Sequence, residues 1–203
     1  MRLVFIATVL AFLSSLPVAA QEKMPFACEG AFAAKGTHDK LVAEFGTNNV
    51  VFTQIHGAHG TTPMASVVYP SDPARRLAVV WQDEKAKANP GYVLIGVGSD
   101  WTISGVRAGM SIPEVEAVNG KPFLLTGLSE QNPGMVFDWE GGKVKTDFAD
   151  CFIMINFQHH QLGSPLDLDD GAETAAVHRS DEPIYKALVP RVDTIVITYR
   201  LVT

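Results

Sequence analysis

The chain has 203 residues, with 22 acidic against 16 basic side chains and a formal net charge of −6. That balance opposes a phosphate backbone, so no nucleic-acid partner is expected. A hydrophobic share of 47% excludes an intrinsically disordered chain, and the length suits one domain of ordinary size or two small ones in contact.

Residues 1–20 read as a secretory signal peptide. Arg2 supplies the positive region, Leu3 to Leu13 form an apolar stretch broken only by Thr8, and Val18-Ala19-Ala20 is a small-residue cleavage site. The mature protein is then expected to start at Gln21, in the periplasm or outside the cell. A spanning helix needs about 20 apolar residues. Ser14, Ser15 and Pro17 interrupt this one before Gln21-Glu22-Lys23, so no membrane span is expected after cleavage. Lipid attachment at Cys28 is not expected either, because Pro25 stands where a lipobox has leucine.

Beyond a proline-broken lead, Thr37, Asp39, Leu41, Phe45 and Gly46 predict a short helix. Thr37 caps it, Leu41 and Phe45 share a face, and Gly46 takes the left-handed terminal position. Strands are predicted at Val50 to Phe52, Ser66 to Tyr69, Leu77 to Trp81 and Tyr92 to Val97, with Ser71-Asp72-Pro73 as turn chemistry. Ser111-Ile112-Pro113-Glu114 is a capping box for a second helix, with Ile112, Val115 and Val118 as its buried stripe and Asn119-Gly120 as its end. Phe123 to Leu125 follows as a strand. Met135 to Trp139 and Lys143 to Phe148 flank Gly141-Gly142 as a hairpin, and Phe152 to Phe157 continues the meander. A short helix over Ser180 to Leu188 and a β-branched strand over Val192 to Leu201 close the chain. The expected class is α+β, with short helices packed on an antiparallel sheet.

The two halves align at an offset of 74 residues, pairing Thr37 with Ser111, Leu41 with Val115, Ala43 with Ala117 and Gly46 with Gly120. A duplicated unit of one helix and several strands, over about 31–100 and 105–160, is therefore expected within a domain spanning 21–203, with a C-terminal extension.

The stretch Gly105-Val106-Arg107-Ala108-Gly109-Met110-Ser111-Ile112-Pro113-Glu114-Val115, ending Asn119-Gly120-Lys121-Pro122-Phe123, stands downstream of Phe45-Gly46-Thr47-Asn48-Asn49-Val50. In this it resembles a group of uncharacterised secreted bacterial proteins. There, a Gly-Met-Ser helix and an Asn-Gly-Lys-Pro-Phe segment follow a Phe-Gly-x-x-Asn-Val motif. The same helix start resembles the SmpA/OmlA outer-membrane assembly lipoproteins and the similarly folded β-lactamase inhibitor proteins, whose helices lead into a three-stranded antiparallel sheet. The resemblance implies a fold rather than an activity, and this chain has no lipobox.

An oxidising compartment favours pairing the two cysteines, Cys28 and Cys151. The alternative is a reactive Cys151 thiol with His159 or His160 as base. For metals, His56, His59, His159 and His160 are the candidates, since two closely spaced imidazoles and a third from elsewhere could hold zinc. His38 and His178 are expected at the surface. The acidic run Asp167, Asp169, Asp170 and Glu173 resembles a calcium loop but fails its spacing, so a solvated loop is expected. Trp81 and Trp139 end apolar strands and, with Trp101, would mark an interaction face if exposed. The expected function is that of an exported, non-catalytic protein binding another macromolecule of the envelope or exterior, without a cofactor. The alternative is a metal-dependent enzyme using His56, His59 and one of His159 or His160.

Overall fold

The first predicted helix forms because its two ends are chemically specified. In the computed structural model, which describes residues 24–57, 60–128, 134–158 and 177–201, it is α1 (His38–Phe45). Thr37 is extended, its hydroxyl oxygen accepts the Lys40 N–H at 3.2 Å, and Gly46 at φ 89° returns its N–H to the Val42 carbonyl at 2.8 Å. The second, α2 (Ile112–Asn119), has its capping box: Glu114 Oε2 accepts the Ser111 backbone N–H at 2.7 Å, and Gly120 is left-handed at φ 84°. A third, α3 (Pro183–Leu188), buries Tyr185 and Leu188.

The strands are β1 (Met24–Pro25), β2 (Val50–Gln54), β3 (Met64–Val68), β4 (Leu77–Asp83), β5 (Ala88–Gly96), β6 (Trp101–Thr102), β7 (Leu124–Thr126), β8 (Gly134–Asp138), β9 (Cys151–Gln158), β10 (Val177–Arg179) and β11 (Arg191–Tyr199). Nine of them form one antiparallel sheet in the order β10-β7-β8-β9-β11-β5-β4-β3-β2, while β1 and β6 make a small parallel ribbon. The class is α+β. The sheet interior lies at β11, which pairs with β9 on one side and with β5 on the other.

From that centre the two halves run outward in the same order. α1 precedes β2, β3, β4 and the central β5, and α2 precedes β7, β8, β9 and the central β11. Each helix start is also tied to its own central strand. Thr37 bridges to Ala88 at the start of β5, and Ser111 bridges to Arg191 at the start of β11.

One expectation is corrected. Lys143 to Phe148 does not form the second arm of a hairpin with Met135 to Trp139; the structure has a strand at Gly134–Asp138 only, flanked by β7 and β9. The reason is competition for backbone groups. Buried Asn119 accepts the Lys143 N–H on its carbonyl (2.8 Å) and the Val144 N–H on Oδ1 (3.3 Å), and donates Nδ2 to the carbonyls of Lys121 (3.0 Å) and Trp139 (3.1 Å). Ser104 holds both backbone groups of Lys145, so three residues of the expected strand are already partnered.

The core lies between the helices and one face of the sheet. Val79, Val93, Ile95, Ile153, Ile155, Ile195 and Ile197 point into it, joined by Leu41 from α1 and by Ile112 and Val115 from α2. The Cys28–Cys151 disulfide ties the lead segment to the first residue of β9 across 123 residues, with the Cα atoms 6.5 Å apart. Such a bridge belongs to an oxidising compartment outside the cytoplasm. Both sulfurs are consumed in it, so the nucleophile alternative for Cys151 has no free thiol to use. No helix among the described residues is long and apolar enough to cross a membrane, and residues 1–20 lie outside them.

Candidate functional site

The sheet face opposite the helices carries the candidate site, and strand alternation builds it. Because successive side chains point to opposite faces, the residues between the core positions form cross-strand rows on the other side. One row runs Val51–Val67–Ala78–Leu94–Val196–Met154, each member paired with the next across β2, β3, β4, β5, β11 and β9. The adjacent row runs Thr53–Ala65–Val80–Tyr92–Thr198–Phe152 in the same register. Neither row contains a charged side chain. An antiparallel sheet with one solvated face ordinarily alternates apolar-in and polar-out, and these strands depart from that pattern.

Ala65, Val67 and Ala78 are buried as a cluster of their own, with Ile55 from the β2–β3 connection and Val80 packed on them. Toward the rims the face meets solvent: Val51 is 43% exposed, Phe152 42% and Phe137, beyond Met135 on β8, 65%. The two rows are continuous, uncharged and largely aliphatic, which is the composition of a contact surface, while Arg76 and His56 stand at the cavity on the same face.

Of the predicted metal ligands, His56 lies in the β2–β3 connection with its ring exposed, beside a cavity on this same face. His59, His159 and His160 lie outside the described residues, as does the acidic run from Asp167 to Glu173. Among the described residues, no group of three or more His, Cys, Asp or Glu side chains is placed to hold a metal ion.

The tryptophans are held in the fold. Trp81 and Trp101 are buried, with their indole N–H groups donated to Ser66 Oγ (2.9 Å) and the Arg75 carbonyl (2.8 Å). Trp139 is half-buried against Phe123 and donates to Thr146 Oγ1 at 3.1 Å.

The two histidines expected at the surface are half-buried. His38 Nδ1 lies 2.8 Å from Ser66 Oγ, and burial together with the Lys87 ammonium lowers its pKa from the ordinary histidine value, against a smaller pull from Asp39. His178 Nδ1 lies 3.2 Å from Glu182 Oε2, and its Nε2 is buried without a hydrogen-bond partner among the described residues. In both cases a ring expected at the surface is held by a partner from another turn or strand.

The rows were not anticipated, although a signal for them exists. Leu77-Ala78-Val79-Val80-Trp81 and Ala65 to Val68, apart from Ser66, are apolar at consecutive positions, which marks strands apolar on both faces. Family models, curated proteins and solved structures yield no significant match to this chain.

Proposed function

We propose that this is an exported, non-catalytic binding protein of the periplasm or exterior, and that the open sheet face is where it holds a protein partner. The observation that carries this reading is the pair of uncharged rows crossing six strands on a face that no helix among the described residues covers. The partner's chemistry follows from the same rows: an uncharged, apolar surface of a folded protein. A net charge of −6 and the lack of cationic side chains in the rows oppose nucleic acid and anionic lipid. The disulfide supports export, and the signal-like residues 1–20 specify the route. A helix followed by four strands in each half supports a duplicated unit whose second copy takes in β11, beyond residue 160, with β10 and α3 inserted before it, and the likeness at Gly109-Met110-Ser111 bears on architecture alone.

The test is affinity capture from envelope extract with the wild-type protein and a Val196→Glu/Met154→Glu variant, each confirmed folded by circular dichroism. A partner retained by the first and lost by the second supports the reading. A partner held equally by both places binding elsewhere. Stoichiometric zinc in the purified protein, lost on replacing His56 and His59 together by alanine, would instead favour the metal-enzyme alternative.

A further inference from the structure

We propose that the cavity at the β4–β5 end of the open face binds an aliphatic monocarboxylate, with Arg76 taking the carboxylate. The cavity measures about 490 Å³, within the range of small-molecule sites. Its apolar wall comes from Ile55, Ala78, Leu94 and Val97, and Ala78 and Leu94 face each other across β4 and β5. Gly96 continues that wall with empty space in front of it: a Cβ built there meets no atom within 4 Å.

Of two neighbouring arginines, Arg76 lines the cavity and Arg75 does not. Arg75 is committed, its Nε 2.6 Å from Asp72 Oδ2 and its guanidinium 4.0 Å from the Tyr69 ring centroid. Arg76 is anchored through its backbone, whose carbonyl accepts the Ser99 hydroxyl at 3.0 Å, while its side chain lines the cavity without a carboxylate partner among the described residues. No Asp or Glu is among the lining residues. A guanidinium fork matches the two oxygens of a carboxylate. A single arginine in a protein of net charge −6 selects a monoanion over a phosphate ester, which carries more charge. The apolar part of the lining is aliphatic and proline, and His56 is the one aromatic ring among the described lining residues, so the body of the ligand is an aliphatic chain. This site goes beyond partner docking: it shares Ala78 and Leu94 with the proposed docking row but takes a small molecule, so octanoate binding and partner capture are read separately.

Titration calorimetry and NMR on the purified protein, with octanoate, 1-octanol and acetate as probes, decide the matter. Octanoate is expected to bind one-to-one and shift the Ile55, Leu94 and Val97 resonances, with octanol weaker and acetate silent. Arg76→Gln should weaken octanoate by about tenfold to a hundredfold, the worth of hydrogen bonds to a charged group, and leave octanol unchanged. Gly96→Leu, which has room to fold, should block both. Absence of saturable octanoate binding, equal binding in Arg76→Gln, or octanol binding as tightly as octanoate would overturn the assignment.

Discussion

Ser66 Oγ lies 2.8 Å from His38 Nδ1, and the same oxygen accepts the Trp81 indole N–H at 2.9 Å. A fully buried hydroxyl thus joins the first turn of α1 to the core face of the sheet. With the ring proton on Nε2, Ser66 donates to His38 Nδ1 and accepts from Trp81. A protonated His38 would donate from both nitrogens and leave the Ser66 proton to find another acceptor inside the fold.

Stability should therefore depend on His38. Burial and Lys87 lower its folded pKa below the unfolded value of about 6.5, with Asp39 opposing them. Between the two values the unfolded chain binds more protons, so this contribution is fully present above the unfolded pKa and is lost as pH falls toward the folded one. An NMR titration should place His38 below about 6.5. Ser66→Ala should cost about 1–3 kcal/mol in denaturant unfolding, because the buried Trp81 N–H loses its acceptor. A midpoint at or above the ordinary value would show that the pair does not hold the ring neutral.

Asn119 replaces a hairpin with a side-chain clasp. Asn119→Ala should destabilise the fold by about 1–3 kcal/mol for each backbone group left unpaired. Asn119→Asp should be nearly as damaging, since a carboxylate cannot donate to the Lys121 and Trp139 carbonyls. Gly142→Ala should destabilise too, because a Cβ there would collide with the Asn119 carboxamide. Wild-type melting temperatures in all three would contradict the clasp.

The cap of α2 should be sensitive to acid. Hydrogen bonds from the Ser111 backbone and hydroxyl hold the Glu114 carboxyl below its ordinary range, aided by Arg191 and Arg107 and opposed by burial. That contribution is present above the unfolded glutamate pKa and disappears as pH falls through the folded one. Ser111→Ala should cost about 0.5–2 kcal/mol near neutral pH. The cost should shrink in acid, as unfolding curves at the two pH values would show.

Thiol titration of the denatured, non-reduced protein should find no free thiol. Replacing Cys28 and Cys151 by serine should lower stability by about 4–5 kcal/mol in the chain-entropy model for a loop of this size. Two titratable thiols would remove the basis for placing the protein in an oxidising compartment.

Much of the fold is legible in the sequence because local chemistry and tertiary structure agree. Thr37, Gly46, Ser111, Glu114 and Gly120 mark helix ends through bonds made within a few residues, and the structure keeps all five at those ends, Gly120 in the expected left-handed conformation and Gly46 at positive φ with an extended ψ of 147°. Long-range choices are not legible. Nothing near Lys143 announces that Asn119, more than twenty residues upstream, will take its N–H, and nothing near Arg191 places that strand beside β5. The open face is spread over six strands, so its lack of charge emerges only after register is known. Arg76 differs from Arg75 only through where Asp72 and Tyr69 stand.

Protein-partner binding is assigned to the open face and to no other surface. A photo-crosslinking residue at Met154 on that face, compared with one at Lys40 on α1, tests it most directly in producing cells. A discrete adduct is expected from position 154, none from position 40, and loss of the adduct when Val196→Lys is added to a protein that still folds. An adduct from position 40 alone, or one from position 154 that survives Val196→Lys, would contradict it.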